Sequence, residues 1–268
     1  MPSFKNSLKL PKNLINLVPT SFDQIGEIAI FNEFPKELKK YEKIIGNKLI
    51  KLNKKIKTVA VKNKKFSGKY RLQKIRIIAG KKTKETIHKE NNLKFKLDIE
   101  KAYFSPRTGS ERLRIASKIK PDESVLVMFS GIGPFSILAA KKAKEVYAIE
   151  LNPIAHKYAL ENIKLNKIDN LKSFKGDVKT ILPKLKKKFN RIIMPLPTDS
   201  ESYLSLALKY LKQKGIIHFY DFSKEEDFPD SSIKKIKKHC KRIKILSKVK
   251  CGNYSPRTYR VCIDFQPL

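Results

Sequence analysis

Short apolar runs alternate with amphipathic stretches along the chain from about residue 120 onward. SVLVMF (124–129) and EVYAIEL (145–151) have the length and composition of buried strands. PFSILAAKKA and PIAHKYALENIKLN have helical spacing, and the second opens on Pro153, which a first helical turn tolerates. Further strand-like runs follow at 171–177, 190–197 and 215–222. This alternation predicts an α/β domain with a mostly parallel sheet that is covered on both faces.

The chain ends with two strand-like runs, RIKILSKVKCG (242–252) and TYRVCIDF (258–265), without a helix between them. Strands this close in sequence predict an antiparallel hairpin at the end of the sheet. Before them, KKIKKHCKRIKI (234–245) is interpreted as a helix that covers the sheet with one apolar face. That face would carry Ile233, Ile236, Cys240 and Ile243.

The first hundred residues have a different pattern. FPKELKKYEKIIGNKL looks helical, and KTVAVKNKKFSGKYRLQKIRIIAG has strand-like alternation that turn residues interrupt. We therefore predict two domains: a smaller α+β accessory domain over residues 1–100 and a larger α/β domain over residues 101–268.

Charge adds the strongest indication of a partner. The chain has 60 Lys and Arg against 25 Asp and Glu, a formal net charge of +35, and the cations are spread over both predicted domains. A Lys-rich proteome explains part of this excess but not all of it. So much like charge favours a polyanionic partner, because neutralising phosphates releases counterions and drives binding. Nucleic acid is the predicted partner, and residues 1–100 are expected to contribute to RNA binding.

Cysteine usage and hydropathy indicate the compartment. Cys240, Cys251 and Cys262 are odd in number and lack zinc-ligand spacing, which predicts a reducing environment. No apolar run approaches the length of a membrane helix, and the start MPSFKNSLKL has no signal-peptide core. We expect a soluble, cytoplasmic monomer with no membrane contact and no metal, because the four histidines show no paired ligand spacing.

A glycine turn and a carboxylate form the candidate cofactor motif. The strand at 124–129 runs into FSGIGPF, with Gly131 and Gly133 at the turn before a helix. Such glycines let a ligand approach the backbone, although any tight turn would need them. Glu150 ends the next strand, nineteen residues after Gly131, where a carboxylate can accept hydrogen bonds from ribose hydroxyls.

Two cofactors are bound by motifs with this general arrangement of glycines and carboxylate. A nicotinamide dinucleotide needs a third glycine for its pyrophosphate, and this chain has Ser136 at that position. S-adenosyl-L-methionine has no phosphate and makes no such demand. Together with Glu150 and the terminal hairpin, this favours a Rossmann-like, class I methyltransferase domain.

The next two strand ends carry further candidates. Asp177 is placed to meet the adenine amino group or to cap the helix that follows, and both roles are compatible. MPLP (194–197) follows the fourth strand, where its two prolines either shape an acceptor pocket or only terminate the strand.

Long, ordered segments of the chain resemble the archaeal and eukaryotic tRNA (guanine-N1)-methyltransferases, which act on position 37, just 3′ of the anticodon. The resemblance begins at the family's middle domain, so the extra N-terminal domain of many relatives is not expected. The matching segments are LVPTSFDQIGEIAI (17–30), GKYRLQKIRIIAG (68–80), TIHKENNLKFKLDIEKAYFSPRTGSERLRIA (86–116), MFSGIGPFSI, YAIELNPIA, ENIKLNK and NYSPRTYRV.

The resemblance implies methylation of guanosine N1 in the anticodon region of tRNA. Because N1 holds its proton at neutral pH, the reaction needs a base, and the resemblance assigns this role to Glu111 of GSERLRI. It also assigns to Arg71 of GKYRLQ the contact with the guanine oxygen. Tyr103 and Arg107 of YFSPR are placed in the same catalytic site by the resemblance. Arg107 is also compatible with a surface ion pair or phosphate contact, the role preferred for Arg114. The implied cofactor-binding residues are Arg112, Phe129, Gly131, Gly133, Glu150, Asp177, Val178 and Pro195.

Two positions depart from the family pattern. Val127 replaces an acidic residue, which predicts a different hold on the methionine moiety. Pro195 replaces the Asn of N-x-P, as in an archaeal subgroup that also methylates C7 of the wyosine precursor 4-demethylwyosine. The alternative is a non-catalytic RNA-binding protein on a degenerate methyltransferase fold. The retained Gly131, Gly133 and Glu150 argue against it.

Overall fold

The structure is a computed structural model that describes residues 4–63 and 68–268. The chain divides into two compact units, Met1–Pro106 and Arg107–Leu268. The turn predicted between the strand-like runs of the first unit includes residues 64–67, which lie outside the described residues. Within the described part, no helix is both long and apolar enough to span a membrane.

The first unit contains helices, a small sheet of mixed parallel and antiparallel strands, and a separate hairpin. A four-stranded sheet has the order β1-β2-β3-β4, and β5 and β6 form a separate hairpin. Only β2 and β3 are parallel in the first sheet. The elements are α1 (Lys12–Ile15), β1 (Asp23–Ile25), β2 (Ile28–Phe31), α2 (Glu42–Leu52), β3 (Thr58–Lys62), β4 (Ile75–Gly80), β5 (Glu85–Glu90) and β6 (Leu93–Asp98), with 3-10 turns at Lys5–Ser7 and Lys36–Tyr41.

Helix α2 packs closely on the four-stranded sheet. Its Leu49 joins Phe31, Val59 and Ile78 in one buried cluster. Gly46 permits this approach, since an added Cβ there would lie 2.5 Å from the Cβ of Ala79. The predicted α+β character of this region follows from such helix-on-sheet packing.

The second unit is built on a seven-stranded sheet in the order β12-β13-β11-β10-β7-β8-β9. Strands β9, β8, β7, β10 and β11 are parallel to one another, whereas β13 is antiparallel to both β11 and β12. The strands are β7 (Ser124–Met128), β8 (Glu145–Glu150), β9 (Leu171–Lys175), β10 (Phe189–Met194), β11 (Leu211–Lys224), β12 (Ile243–Ser255) and β13 (Thr258–Pro267). The predicted parallel sheet with a terminal antiparallel hairpin is therefore confirmed.

Every residue of β7 is buried, as expected for a central parallel strand covered on both faces. The side chain of Asn152 caps α5 by accepting hydrogen bonds from two backbone N–H groups, and Pro153 occupies the first turn as predicted. The helices of this unit are α3 (Gly109–Ser117), α4 (Pro134–Ala140), α5 (Pro153–Leu165), α6 (Val178–Lys184), α7 (Leu204–Lys209) and α8 (Asp230–His239), and a 3-10 turn spans Ser200–Tyr203.

The helix predicted to continue through residue 245 is shorter than the pattern indicated. Helix α8 ends at His239, Cys240 has extended backbone, and Ile243 is the first residue of β12. Ile236 is fully buried and Ile233 packs beside it, so only these two positions of the predicted face are helical. Pairing with β13 satisfies the backbone from Ile243 onward, which outweighs the local helical spacing.

A buried ion pair joins the middle strand β10 to the residue that precedes β7. Arg191 of β10 is 2% exposed. Its Nε and Nη2 donate to the two carboxylate oxygens of Glu123 at 2.7 and 2.8 Å. Nη2 also donates to the carbonyl of Lys118 at 2.8 Å. The pair therefore links the segment before β7 to the middle of the sheet.

We expect Arg191→Met to lower the free energy of unfolding by about 3–5 kcal/mol, because Glu123 would remain buried without its partner. The matched control is Lys187→Ala, which removes an ion pair with Glu145 whose side chains are both about 30% exposed. That change should cost less than about 1 kcal/mol. Urea unfolding monitored by circular dichroism measures both. Equal effects of the two substitutions would contradict a structural role for the buried pair.

Candidate cofactor and catalytic site

The turn after β7 brings backbone atoms close to the edge of the sheet. Phe129, Gly131 and Gly133 have φ angles of 54°, 57° and 92°, in the left-handed region that favours glycine. The N–H of Ser130 donates to the carbonyl of Ile149 at 3.0 Å, which ties the turn to β8. The two glycines therefore match the backbone conformation that this turn adopts.

Glu150 connects the glycine turn to the end of β8. Its Oε2 accepts a hydrogen bond from the N–H of Gly131 at 2.6 Å, and its Oε1 accepts one from the N–H of Asn152 at 2.7 Å. Burial raises the pKa of Glu150, although these backbone donors act in the opposite direction. The carboxylate therefore has a fixed position, and each oxygen retains acceptor capacity for ribose hydroxyls.

Asp177 caps α6, because its side chain accepts a hydrogen bond from the N–H of Lys179 at 2.8 Å. The capping alternative is therefore confirmed, and contact with adenine stays a prediction. Val178 beside it is buried. The ring of Tyr203 packs edge-on against Phe129 with centroids 4.8 Å apart. This contact places the ring of Tyr203 beside the turn that follows β7, and burial and the charges of Asp177 and Asp199 raise the pKa of Tyr203.

Ser130 supports a ligand at this turn. Its Oγ is buried and has no hydrogen-bond partner within the part of the chain that the structure describes. A buried hydroxyl normally has a partner, so a polar ligand atom would satisfy it. The Glu150 carboxylate, the Ser130 hydroxyl and the aromatic pair of Phe129 and Tyr203 fit an adenosyl group.

The two departures from the family pattern have different surroundings. Val127 is fully buried inside β7 and pairs with Ala148 and Ile193. Pro195 directly follows β10, and the hydroxyl of Ser200 donates to the carbonyls of Met194 and Leu196 in the same turn. These hydrogen bonds hold the turn after β10 in place, and its role in an acceptor pocket stays a prediction.

Glu111 lies on α3 and is only 4% exposed. Arg114 donates to both of its carboxylate oxygens, at 2.6 Å from Nε and 2.7 Å from Nη2. The hydroxyl of Tyr220 donates to Oε1 at 2.6 Å, and burial raises the pKa of Tyr220 well above its ordinary value. A carboxylate has about four acceptor sites, so these three bonds leave about one.

Arg114 is shared between two carboxylates. Its Nη1 donates to Asp264 at 2.6 Å, and Lys118 donates to the same carboxylate at 2.7 Å. Burial alone would lower the pKa of Arg114, but the hydrogen bonds to Glu111 and Asp264 raise it. Arg114 was expected to make a surface ion pair or a phosphate contact. Arg114 does make ion pairs, but its side chain is only 21% exposed and both of its partners, Glu111 and Asp264, are buried, so the pairs are not at the surface.

Asp264 also contacts His218, whose Nδ1 lies 2.6 Å from the carboxylate. Burial lowers the pKa of His218, so its Nδ1 donates to Asp264 while Nε2 accepts from Arg191 at 2.8 Å. Ligand atoms of His218, Cys262 and Asp264 lie within 4.8 Å of one another, as a metal site requires. The cations of Arg114, Lys118 and Arg191 already surround them, so we interpret this cluster as a hydrogen-bond network.

The remaining predicted residues fall in both units. Arg112 is buried, and its Nη1 donates to the hydroxyl of Thr108 at 2.6 Å. Arg107 is exposed in the 3-10 turn Pro106–Thr108. Arg71, with a φ of 53°, and the partly exposed Tyr103 belong to the first unit. Their catalytic roles stay predictions.

Sequence reasoning missed four residues of this region: Ser130, Tyr203, Tyr220 and Asp264. Ser130 lies inside the glycine motif, which was the available signal for it. Tyr220 and Asp264 lie on strands recognised from the sequence, but which of their side chains face α3 depends on the register between β11 and β13.

A sheet of this order, with a glycine turn after its first strand and a carboxylate after its second, defines a Rossmann-like, S-adenosylmethionine-dependent methyltransferase. Residues 86–248 match the family described as the TRM5/TYW2 methyltransferase domain. Residues 4–83 match the family described as the TYW2 N-terminal domain. The chain belongs to the TRM5/TYW2 methyltransferase family.

Two relatives and one solved structure show the range of this similarity. The chain is 42% identical to tRNA (guanine(37)-N(1))-methyltransferase Trm5b of Pyrococcus abyssi over 268 residues, 98% of this chain and 80% of that protein. It is 34% identical over 249 residues to tRNA(Phe) (4-demethylwyosine(37)-C(7)) aminocarboxypropyltransferase of Methanocaldococcus jannaschii, 91% of this chain and 96% of the relative. The complex structure of aTrm5 and tRNALeu matches with a TM-score of 0.88 and 35% identity, covering 100% of this chain and 78% of that one. These similarities favour an enzyme over a non-catalytic RNA-binding protein.

We expect Glu150→Ala to weaken S-adenosylmethionine binding by about 1–3 kcal/mol, the scale of hydrogen bonds to a charged group. The substitution removes the ribose acceptor and releases the N–H groups of Gly131 and Asn152. Glu145→Ala, at the opposite end of β8, is the matched control and should leave affinity unchanged. Isothermal titration calorimetry measures both affinities. An unchanged affinity for Glu150→Ala would mean that a residue other than Glu150 contacts the ribose.

Proposed function

We propose that this protein transfers the methyl group of S-adenosylmethionine to N1 of guanosine 37 in tRNA. The observation that carries the proposal is the buried Glu111 carboxylate, fixed by Arg114 and Tyr220 in the same unit as the cofactor edge. The activity named for the Pyrococcus abyssi relative and the tRNA in the aTrm5 complex support it. The net charge of +35 supports a polyanionic substrate.

The cofactor is assigned to the carboxyl ends of β7 to β10. Glu150 would accept from the ribose, Asp177 and Val178 would meet the adenine, and Phe129 would cover it. Gly131 and Gly133 leave the backbone accessible, and Arg112 and Pro195 are assigned to the methionine and acceptor side. When bound, S-adenosylmethionine supplies an electrophilic methyl group.

Glu111 is the proposed general base. Guanine N1 must lose its proton as its lone pair forms the new bond to carbon, and an oxygen of Glu111 takes that proton. Tyr220 and Arg114 orient the carboxylate, and they leave about one acceptor site for the substrate. Arg71 is proposed to stabilise the negative charge that develops on the guanine oxygen, a role suited to a permanently charged guanidinium. Tyr103 and Arg107 are proposed to line the same site.

A second acceptor is favoured by a separate observation. Residues 4–83 match the TYW2 N-terminal domain, and the Methanocaldococcus jannaschii relative, named for C7 of 4-demethylwyosine, is matched over almost its full length. C7 methylation of 4-demethylwyosine is a candidate second reaction, because the chain is also 31% identical, over 91% of its length, to the tRNA (guanine(37)-N(1))/4-demethylwyosine(37)-methyltransferase Taw22 of Nanoarchaeum equitans. Transfer of the aminocarboxypropyl group is the competing outcome, because Val127 leaves the strand without the usual acidic residue.

Product analysis tests these assignments. Incubation with S-adenosylmethionine and a tRNA transcript that carries guanosine 37 should yield 1-methylguanosine, measured by mass spectrometry of digested nucleosides. A transcript with adenosine 37 is the matched control and should remain unmodified. An aminocarboxypropyl adduct, or no product from either transcript, would overturn the proposed function.

We expect Glu111→Gln to lower the rate of guanosine methylation by about 10²–10⁴-fold, because glutamine keeps the shape of the side chain but cannot take the proton. Tyr220→Phe is the comparison, since it removes one orienting hydrogen bond and should cost about 2–10-fold. Single-turnover kinetics with saturating cofactor measure both rates. If Glu111→Gln retains full activity, another group is the base.

A further inference from the structure

The hairpin formed by β12 and β13 extends beyond the sheet edge that holds the cofactor residues. Strand β10 ends at Met194, which is paired with Phe219 of β11. Beyond that pair β11 continues to Lys224, accompanied by β13 back to Thr258. The turn of the hairpin therefore projects past the carboxyl ends of the parallel strands. NYSPRTYRV, one of the motifs shared with the family, spans this turn.

An aromatic stack lies at the projecting end. The rings of Phe222 and Tyr254 are 4.0 Å apart with an interplanar angle of 30°. The guanidinium of Arg260 lies 6.0 Å from the centre of the Phe222 ring. Tyr254 is nevertheless 55% exposed, so an aromatic ring that Phe222 supports remains open to solvent. We name Phe222, Tyr254 and Arg260 the Tyr254 platform.

The platform lies on the same face of β11 as the candidate base. Side chains two residues apart on a strand point to the same face, so Phe222 follows Tyr220, which donates to Glu111. Two strand residues span about 7 Å, so the Phe222 ring lies about that far along β11 from Tyr220. A base beside the reacting nucleotide is thus within reach of the platform.

Charge around the platform indicates the chemistry of its partner. Residues 243–260 contain five Lys and Arg and no Asp or Glu. Arg257 is exposed at the turn, with a φ of 53°. The segment directly after β11 carries three acidic residues, Glu225, Glu226 and Asp227. Lys250 at 3.3 Å and the hydroxyl of Tyr259 at 3.1 Å donate to Glu225, and Lys224 lies 3.9 Å from Glu226. Exposed aromatic rings among cations bind unpaired nucleic acid bases, whose faces stack while the phosphates meet the cations.

We propose that Tyr254 stacks on an unpaired base of the RNA substrate next to the nucleotide that reacts, with Arg257 and Arg260 facing its backbone. This inference rests on the proposed function, because it takes the substrate to be an anticodon loop. It assigns to the hairpin an RNA contact that is independent of the cofactor residues.

Binding of a fluorescently labelled anticodon stem-loop, measured by anisotropy with the full chain, tests the proposal. Tyr254→Ala should weaken binding by about 5- to 100-fold, the range that stacking on an aromatic side chain provides. Tyr254→Phe keeps the ring and should bind as the unchanged protein does. Leu246→Ala is the matched control, because Leu246 lies on the same strand, is 41% exposed and lies far from the turn. It should have no effect.

A second readout reports stacking directly. With 2-aminopurine in place of a nucleotide that flanks position 37, the unchanged protein and Tyr254→Phe should quench its fluorescence, whereas Tyr254→Ala should not. Equal RNA binding and equal quenching by Tyr254→Ala, or equal weakening by Leu246→Ala, would overturn the proposal. RNA binding that depends on Tyr254, found together with no methyl transfer, would support the stacking role of Tyr254 and contradict the proposed methyltransferase function. Failure of the unchanged protein to bind the stem-loop would remove both.

Discussion

The guanidinium of Arg114, shared between Glu111 and Asp264, is the interaction on which the rest of the catalytic unit depends. It joins α3, the element that carries the candidate base, to the last strand of the sheet. Through Asp264 and His218 the same network reaches Arg191 in the middle strands. Charges buried in this way are stable only when each has its partners, so the network permits one arrangement of these elements.

The network also determines the electrostatic surroundings of the buried Glu111 carboxylate, the proposed base. Arg114 donates hydrogen bonds to two carboxylates, so its positive charge is shared between Glu111 and Asp264. Hydrogen bonds from His218, Arg114 and Lys118 hold the pKa of Asp264 below its usual range, although burial acts to raise it. Asp264 therefore remains ionised and retains its share of the guanidinium. Tyr220 stays protonated and points its hydroxyl at Glu111.

The carboxyl ends of β7 to β10, where the cofactor is proposed to bind, and the hairpin of β12 and β13 present different kinds of surface on the same sheet. At the ends of β7 and β8 a glycine turn is held by the carboxylate of Glu150. At the far end of β11 the side chains are presented, because the strand continues beyond its parallel neighbour. One surface suits a small adenosyl ligand, and the other suits an extended, stacked polyanion. The antiparallel hairpin is what gives this sheet a second surface beyond its cofactor edge.

Local patterns were sufficient for much of this protein. The alternation of apolar runs determined the parallel sheet, the glycine pair determined the left-handed turn, and the nineteen-residue spacing placed Glu150 beside Gly131. These features depend on residues close in sequence or on adjacent strands, whose periodicity can be read directly. The end of α8 at His239 could not be read in this way, because pairing with β13 outweighed the helical spacing. Nor could the partners of Arg114, since Asp264 lies 150 residues away. Tyr220, Asp264 and Tyr254 acquire their places only when β11, β12 and β13 take one register, and a shift of one residue would turn each side chain to the opposite face.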